Sequence, residues 1–116
     1  MGKTCAICQA ADIIGKRWST LILLELCKGK KRYNEIKKSL EDITPKILSL
    51  RLKELEKEGI VKKSIDSRKI PVSCTYQLTT SGEDFIKVIE SMKLWALRWR
   101  VKNEICQKRE CKDCRT

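Results

Sequence analysis

Cysteine is the residue best equipped to do chemistry in this 116-residue chain, and it occurs seven times. The pattern is Cys5-x2-Cys8, single Cys27, single Cys74, and Cys106-x4-Cys111-x2-Cys114. A lone cysteine in an apolar segment is an ordinary small core residue, which is the expectation for Cys27 and Cys74. The terminal groups lie where packing demands are weakest, so chemistry accounts for them better. Three chemistries fit. Cys5 and Cys8 at the start of a helix would gain thiolate character from free amides and the helix dipole, and the second thiol could resolve an oxidised first one. Alternatively, Cys5, Cys8, Cys106, Cys111 and Cys114 could converge within or across chains on zinc or an iron–sulfur cluster, both of which take four thiolates. A structural disulfide is the third reading, reasonable for an intracellular protein only if it comes from a hyperthermophile. The spacing alone leaves all three open.

Other reactive constellations are missing. Histidine is absent, which removes Ser-His-Asp triads, Cys-His dyads, HExxH zinc sites and C2H2 fingers together. None of the five glycines forms GxGxxG or GxxxxGK[ST], so loops that cradle nucleotides are absent too. The CxxC pair lacks the βαβ surroundings of a thioredoxin-like catalyst, so a small thiol oxidoreductase is only an alternative reading. The expectation is a protein that is not an enzyme.

Charge points to the partner. The chain carries 26 Lys and Arg against 15 Asp and Glu, a net charge of +11, and so favours polyanions. A membrane is the weaker candidate, because the longest aliphatic run, Leu21 to Leu24, is four residues, far short of a span. The stretch from Met1 to Gln9 has one lysine and no apolar run, unlike a secretory leader, so a cytoplasmic location is expected. Charged residues reach 35% while Asn and Gln number five, a balance seen in proteins of hot environments.

These groups must be positioned by a fold, and the apolar spacing describes one. Ile7, Ala10, Ala11, Ile14, Trp18, Leu21, Ile22 and Leu26 keep helical steps, broken at Gly15 into two helices. Gly29 ends the second one. A short helix over about 34–40 offers Ile36 and Leu40 to the core. Thr44 can cap and Pro45 can open the next helix, which runs to about Glu58 and stops at Gly59. Two short helices joined by Glu41 to Thr44 make a helix-turn-helix. The β-branched runs Ile60 to Ile65 and Cys74 to Leu78 flank the basic segment 66–71 and predict a hairpin, the wing of a winged helix. Thr80-x-x-Glu83 resembles a capping box for a last helix. Phe85, Val88, Met92, Trp95 and Trp99 form a stripe along it, suited to a core or to a partner-helix seam.

The resulting fold class is mainly α with a small β-hairpin (α+β). It is a single domain over 1–116, with no linker or repeat: helix-turn-helix over about 33–58, wing over about 60–79, C-terminal helix over about 81–103 and a cysteine-rich tail over 104–116. On a wheel of about 100° per residue, Leu48, Leu52 and Leu55 converge on one side of the 44–58 helix. Lys46, Ser49, Leu50 and Lys53 fall opposite, with Arg51 at the edge. That face suits the major groove, where Leu50 could meet a thymine methyl. Positive charge recurs from Lys28 to Lys38, with six basic residues and one acidic, and again at Lys62-Lys63 and Arg68-Lys69. In a winged helix these segments would surround the recognition helix and contact phosphates. The expected DNA-binding residues are Arg32, Thr44, Lys46, Ser49, Leu50, Arg51, Lys53, Lys63, Arg68 and Lys69.

The same residues carry a resemblance. Cys5, Gly15-Lys16-Arg17-Trp18, Arg32-Tyr33-Asn34-Glu35-Ile36, Ile43-x4-Leu48-x2-Arg51-Leu52-Lys53-Glu54-Leu55-Glu56-x2-Gly59-Ile60-Val61, Tyr76-x-Leu78-Thr79 and Trp95 resemble the HxlR-type family of bacterial and archaeal winged-helix transcription regulators, and an archaeal source is expected. The resemblance spans about Cys5 to Trp99. It implies a homodimer built from the first and last helices, with Ile7, Phe85, Val88, Met92, Trp95 and Trp99 at the interface, on an inverted-repeat operator in double-stranded DNA. It also implies that Arg51 and the wing approach the DNA backbone and that Cys5, with Cys8 beside it, senses oxidants or electrophiles. The sequence departs from the family at the wing, where Pro71-Val72-Ser73-Cys74-Thr75-Tyr76 replaces the usual Pro-Pro-Arg-Val-Glu-Tyr; Arg68 or Lys69 could substitute for the missing arginine. Cys8 and the tail cysteines also lie outside the common pattern. A competing reading, a chromatin-type basic protein, would bind any duplex equally.

Overall fold

A computed structural model describes residues 5–70 and 72–100. Helices α1 (Ala6–Ile14) and α2 (Arg17–Leu26) meet at Gly15. Strand β1 (Lys31–Arg32) leads into α3 (Tyr33–Ser39), and α4 (Pro45–Lys57) completes the helix-turn-helix. Strands β2 (Val61–Asp66) and β3 (Ser73–Leu78) form the hairpin before α5 (Thr80–Trp99). The sheet is antiparallel in the order β1-β3-β2, with Lys31 opposite Tyr76 and Val61 opposite Leu78. Strand β1 was not legible in the sequence. It is two basic residues long, without apolar alternation, and it becomes a strand only because β3 offers it a free edge.

The core is built by the leucines and isoleucines that the periodicity selects. Ile22, Leu23 and Leu26 of α2 pack with Ile36, Leu40 and Ile43, and Leu48, Leu52 and Leu55 bring in α4. Ile60 and Val61 close the cluster from the hairpin and Ile86 and Ile89 from α5. The end of α4 is locked by Gly59 at φ +78°, with the Gly59 amide donating to the Glu56 carbonyl and the Ile60 amide to the Leu55 carbonyl, each at 3.0 Å. This left-handed stop turns Ile60 back onto Leu55 and aims the chain into the wing.

Two sequence expectations need correction, and the apolar stripe of α5 resolves into faces. Helix α5 is capped by Thr79, not Thr80: the Thr79 hydroxyl accepts from the Gly82 amide at 3.2 Å. The Thr79 amide is tied to the Ile60 carbonyl at 3.0 Å and its hydroxyl donates to the Gly59 carbonyl at 2.7 Å. That tertiary anchoring overrides the Thr80-x-x-Glu83 spacing. Within α5, Ile86 and Ile89 face the core, while Val88, Met92, Trp95 and Trp99 are exposed and Phe85 is half-buried against the core. The helix has two apolar faces, and the more regular one points outward. Finally, Cys27 and Cys74 are only half-buried; Cys27 packs on the edge of the core, and Cys74 sits on β3 opposite exposed Ile65.

Candidate nucleic-acid interface

Helix α4 is set by its first turn. The Thr44 hydroxyl accepts from the Ile47 amide at 3.2 Å, and Pro45 occupies the first helical position. Tyr33 of α3 donates its hydroxyl to the Pro45 carbonyl at 3.1 Å, and the Ser49 hydroxyl reaches Tyr33 Oη at 3.4 Å. Thr44 thus acts as a cap and Ser49 as a link between the two helices of the motif. With Leu48, Leu52 and Leu55 fully buried, Lys46, Ser49, Leu50 and Lys53 form an exposed row on the opposite side.

Arg51 sits elsewhere. Its Nη1 is 3.0 Å from Glu54 Oε1, its side chain is only 20% exposed, and its buried Nε has no hydrogen-bond partner among the described residues. The same Glu54 oxygen accepts from Lys16 Nζ at 3.3 Å, at the start of α2. Burial pushes the Glu54 carboxyl up, but the hydrogen bonds from Lys16 and Arg51 outweigh it and hold the group below the usual carboxylate range. Glu54 thus joins Arg51 of its own helix to Lys16 at the start of α2, and the Arg51 guanidinium, which the resemblance places near the DNA backbone, lies against α4. The i,i+3 spacing of Arg51 and Glu54 was a readable signal; nothing in the sequence pointed to Lys16.

The hairpin adds further cations. Lys63 is exposed with its ammonium 6.0 Å from the centre of the Tyr76 ring, and burial, with the neighbouring Cys74 thiol, pushes the Tyr76 phenol up to about 12. At the tip, Arg68 folds onto Asp66: its side-chain Nε lies 3.2 Å and its amide 3.1 Å from Asp66 Oδ1. These bonds hold the Asp66 carboxyl below its usual value. An open cleft of about 560 Å³ runs between the wing and the start of α3, where Lys30, Arg32, Arg68 and Lys69 outnumber the carboxylates Glu35 and Asp66 in its lining. The structure thus gathers Arg32, Arg68 and Lys69 into one basic surface and adds Lys30 to it.

Cys5 is the N-cap residue of α1, and both Cys5 and Cys8 are exposed. The Cys8 amide, the Cys8 thiol and the Ile7 amide favour the Cys5 thiolate and hold its pKa below that of an ordinary thiol. Cys106, Cys111 and Cys114 lie outside the described residues. Among the described residues no group of three or more His, Cys, Asp or Glu side chains could hold a metal ion. Ile7, Val88, Met92, Trp95 and Trp99 are all exposed, and Leu94, which the sequence did not single out, joins them. No helix among the described residues is long and apolar enough to cross a membrane.

Comparison with known proteins gives one answer. The model of the HxlR-like helix-turn-helix family matches residues 13–104. The HTH-type transcriptional regulator YvaP of Bacillus subtilis (strain 168) is 38% identical over 91 residues, covering 78% of this chain and 83% of the relative. Among solved structures, the reduced form of the transcriptional regulator YodB from B. subtilis matches with a TM-score of 0.76 at 35% identity, covering 86% of this chain and 98% of that one. The redox regulator HypR in its oxidised form matches with a TM-score of 0.74 at 32% identity, over 84% of this chain and 99% of that one.

Proposed function

This chain belongs to the HxlR-like helix-turn-helix family of transcriptional regulators, and from that premise we propose that it binds an inverted-repeat operator as a homodimer, with α4 in the major groove and the wing on flanking DNA. The observation that carries this reading is the exposed Lys46, Ser49, Leu50 and Lys53 row on α4, backed by three buried leucines. Lysines at the ends of that row suit phosphates or guanine edges, and Ser49 and Leu50 between them suit base edges and a thymine methyl. The basic cleft beside the wing would take the sugar–phosphate backbone. The exposed Val88, Met92, Leu94, Trp95 and Trp99 on α5, with Ile7 on α1, supply an apolar seam for a second copy. We place the protein in the cytoplasm, where its DNA lies, and its function requires no catalysis.

Thiol responsiveness belongs to the same proposal. HypR is a redox regulator, and YodB has been solved diamide-treated and quinone-bound. In this chain the thiol suited to that role is Cys5, exposed and with its thiolate favoured by the start of α1. Its thiolate could add to a quinone, or form a disulfide with a second thiol as diamide takes up two electrons and two protons. Either event alters α1, which borders the proposed seam. A zinc or iron–sulfur role for Cys5 and Cys8 would need further thiolates from the tail cysteines, which lie outside the described residues.

The test uses a duplex selected by the protein from random sequence. Lys46→Ala and Lys53→Ala should each weaken binding, by about 1–3 kcal/mol where a base is read, while melting stays unchanged because both side chains are exposed. Wild-type affinity in both variants would remove α4 from the groove.

A further inference from the structure

The exposed large apolar side chains of the described residues sort into three groups. Ile7, Val88, Met92, Leu94, Trp95 and Trp99 lie on α1 and α5, where the dimer seam is proposed. Leu50 lies on the groove face of α4. Ile65, Ile70 and Val72 lie on the wing, and neither the seam nor the phosphate contacts of Arg68 and Lys69 gives them a role. Ile70 is 98% exposed, the most of any of them. A single exposed aliphatic residue carries no message. Three within eight residues of a hairpin tip are a concentrated apolar surface on an otherwise charged element.

What surrounds them identifies the partner. Lys62 and Lys63 flank the root of the hairpin, Arg68 and Lys69 immediately precede Ile70, and the wing's one carboxylate, Asp66, is already engaged by Arg68. The tip is thus an apolar point inside a cationic collar. A second copy of a chain with net charge +11 would meet that collar with like charge. The minor groove of DNA offers the opposite: a concentrated negative potential between phosphates, over a floor of stacked bases that aliphatic side chains can enter.

Building on the DNA-binding role above, we propose that Ile70 is a minor-groove wedge, which enters beside each half-site and partly unstacks one base step while Arg68 and Lys69 hold the flanking phosphates. Val72 and Ile65 extend the apolar contact along the sugars of the groove wall. The unstacked step bends the duplex, and flexible pyrimidine–purine steps bend most readily. The wing therefore confers sequence preference at positions that α4 never touches. It does so by deformability, in place of the arginine that the family pattern carries in this wing.

The experiment places 2-aminopurine at successive steps flanking the half-sites of a duplex that the wild-type protein selects from random sequence. Binding should raise the fluorescence at one step on each side. Ile70→Ser should abolish that rise and weaken binding by roughly tenfold, comparable to one mismatched base pair, with the salt dependence unchanged. Ile70→Leu should restore both. Arg68→Ala should keep the fluorescence rise and lower the salt slope by about one. Because Ile70 is almost fully solvated and the Arg68 side chain is 91% exposed, none of these changes should disturb folding. Selection of an inverted repeat with no fluorescence rise at any flanking step would overturn the wedge and leave the operator reading intact. A rise that persists in Ile70→Ser, or a variant altered in self-association but not in its DNA complex, would overturn it too. Failure to select any sequence would remove the operator reading itself, and the wedge with it.

Discussion

At the scale of single residues, reactivity and bracing depend on what surrounds each charge. The Cys5 sulfur is held below the ordinary thiol pKa by the Cys8 amide, the Cys8 thiol and the Ile7 amide, and these favour its anionic form. A lowered pKa means that the thiolate persists to lower pH, so the pH midpoint for alkylation of Cys5 by iodoacetamide should fall below the value of about 8.5 for a free thiol. Cys8→Ala removes the thiol contribution and keeps both amides, so the midpoint should rise part of the way. Mass-spectrometric labelling against pH reads both, and a Cys5 midpoint at the ordinary value would contradict the microenvironment. Arg51 shows the limit of sequence reading at this scale. Its residue type, its place at the edge of the wheel and the family resemblance suggested the DNA backbone, and the structure adds a carboxylate three residues on that holds one of its nitrogens. A wheel places a side chain on a face; it does not choose among the partners within reach.

At the scale of elements, junctions decide more than helix interiors. Helix α5 starts against the carbonyl of Ile60, and a Cβ added at Gly82 would lie 2.3 Å from that oxygen and 3.2 Å from side-chain carbons of Ile60 and Leu78. The oxygen belongs to the backbone that turns α4 into the wing, so it cannot swing aside. Gly82→Ala should therefore destabilise the protein by about 1–3 kcal/mol through overpacking, despite the better helix propensity of alanine. A lower urea midpoint with unchanged slope is the expected result, and an equal or higher midpoint would show that α5 is not seated as described. Buried leucines at three- and four-residue steps, Pro45 after Thr44, and Gly59 after α4 made the helix-turn-helix legible in the sequence, because each acts within one turn of its own position. The true cap of α5, the strand Lys31–Arg32 and the inward turn of Ile86 and Ile89 were not legible. All three are settled by contacts with distant segments: Ile60 for Thr79, β3 for β1, and the α2–α4 core for α5.

At the scale of the whole molecule, apolar and charged surfaces divide the work. In the proposed assembly the apolar faces of α1 and α5 would meet a second copy, the basic cleft and the α4 row would meet DNA, and the excess positive charge would draw the duplex in. That division is the one that charge and periodicity suggest: a net charge of +11 over 116 residues and a regular aromatic stripe were readable in the sequence. Which stripe residues point outward was not, because α5 presents apolar side chains on two faces. The most direct measurement is a hydroxyl-radical footprint on a duplex selected from random sequence. The account predicts two protected patches on one face of the DNA, related by a two-fold axis and spaced by about one helical turn of 10–10.5 base pairs or a multiple of it. Affinity for that duplex should exceed affinity for a scrambled one by roughly 10³-fold or more. Continuous protection on any duplex, with equal affinity for the scrambled sequence, would instead make this a general basic DNA-coating protein and contradict the account.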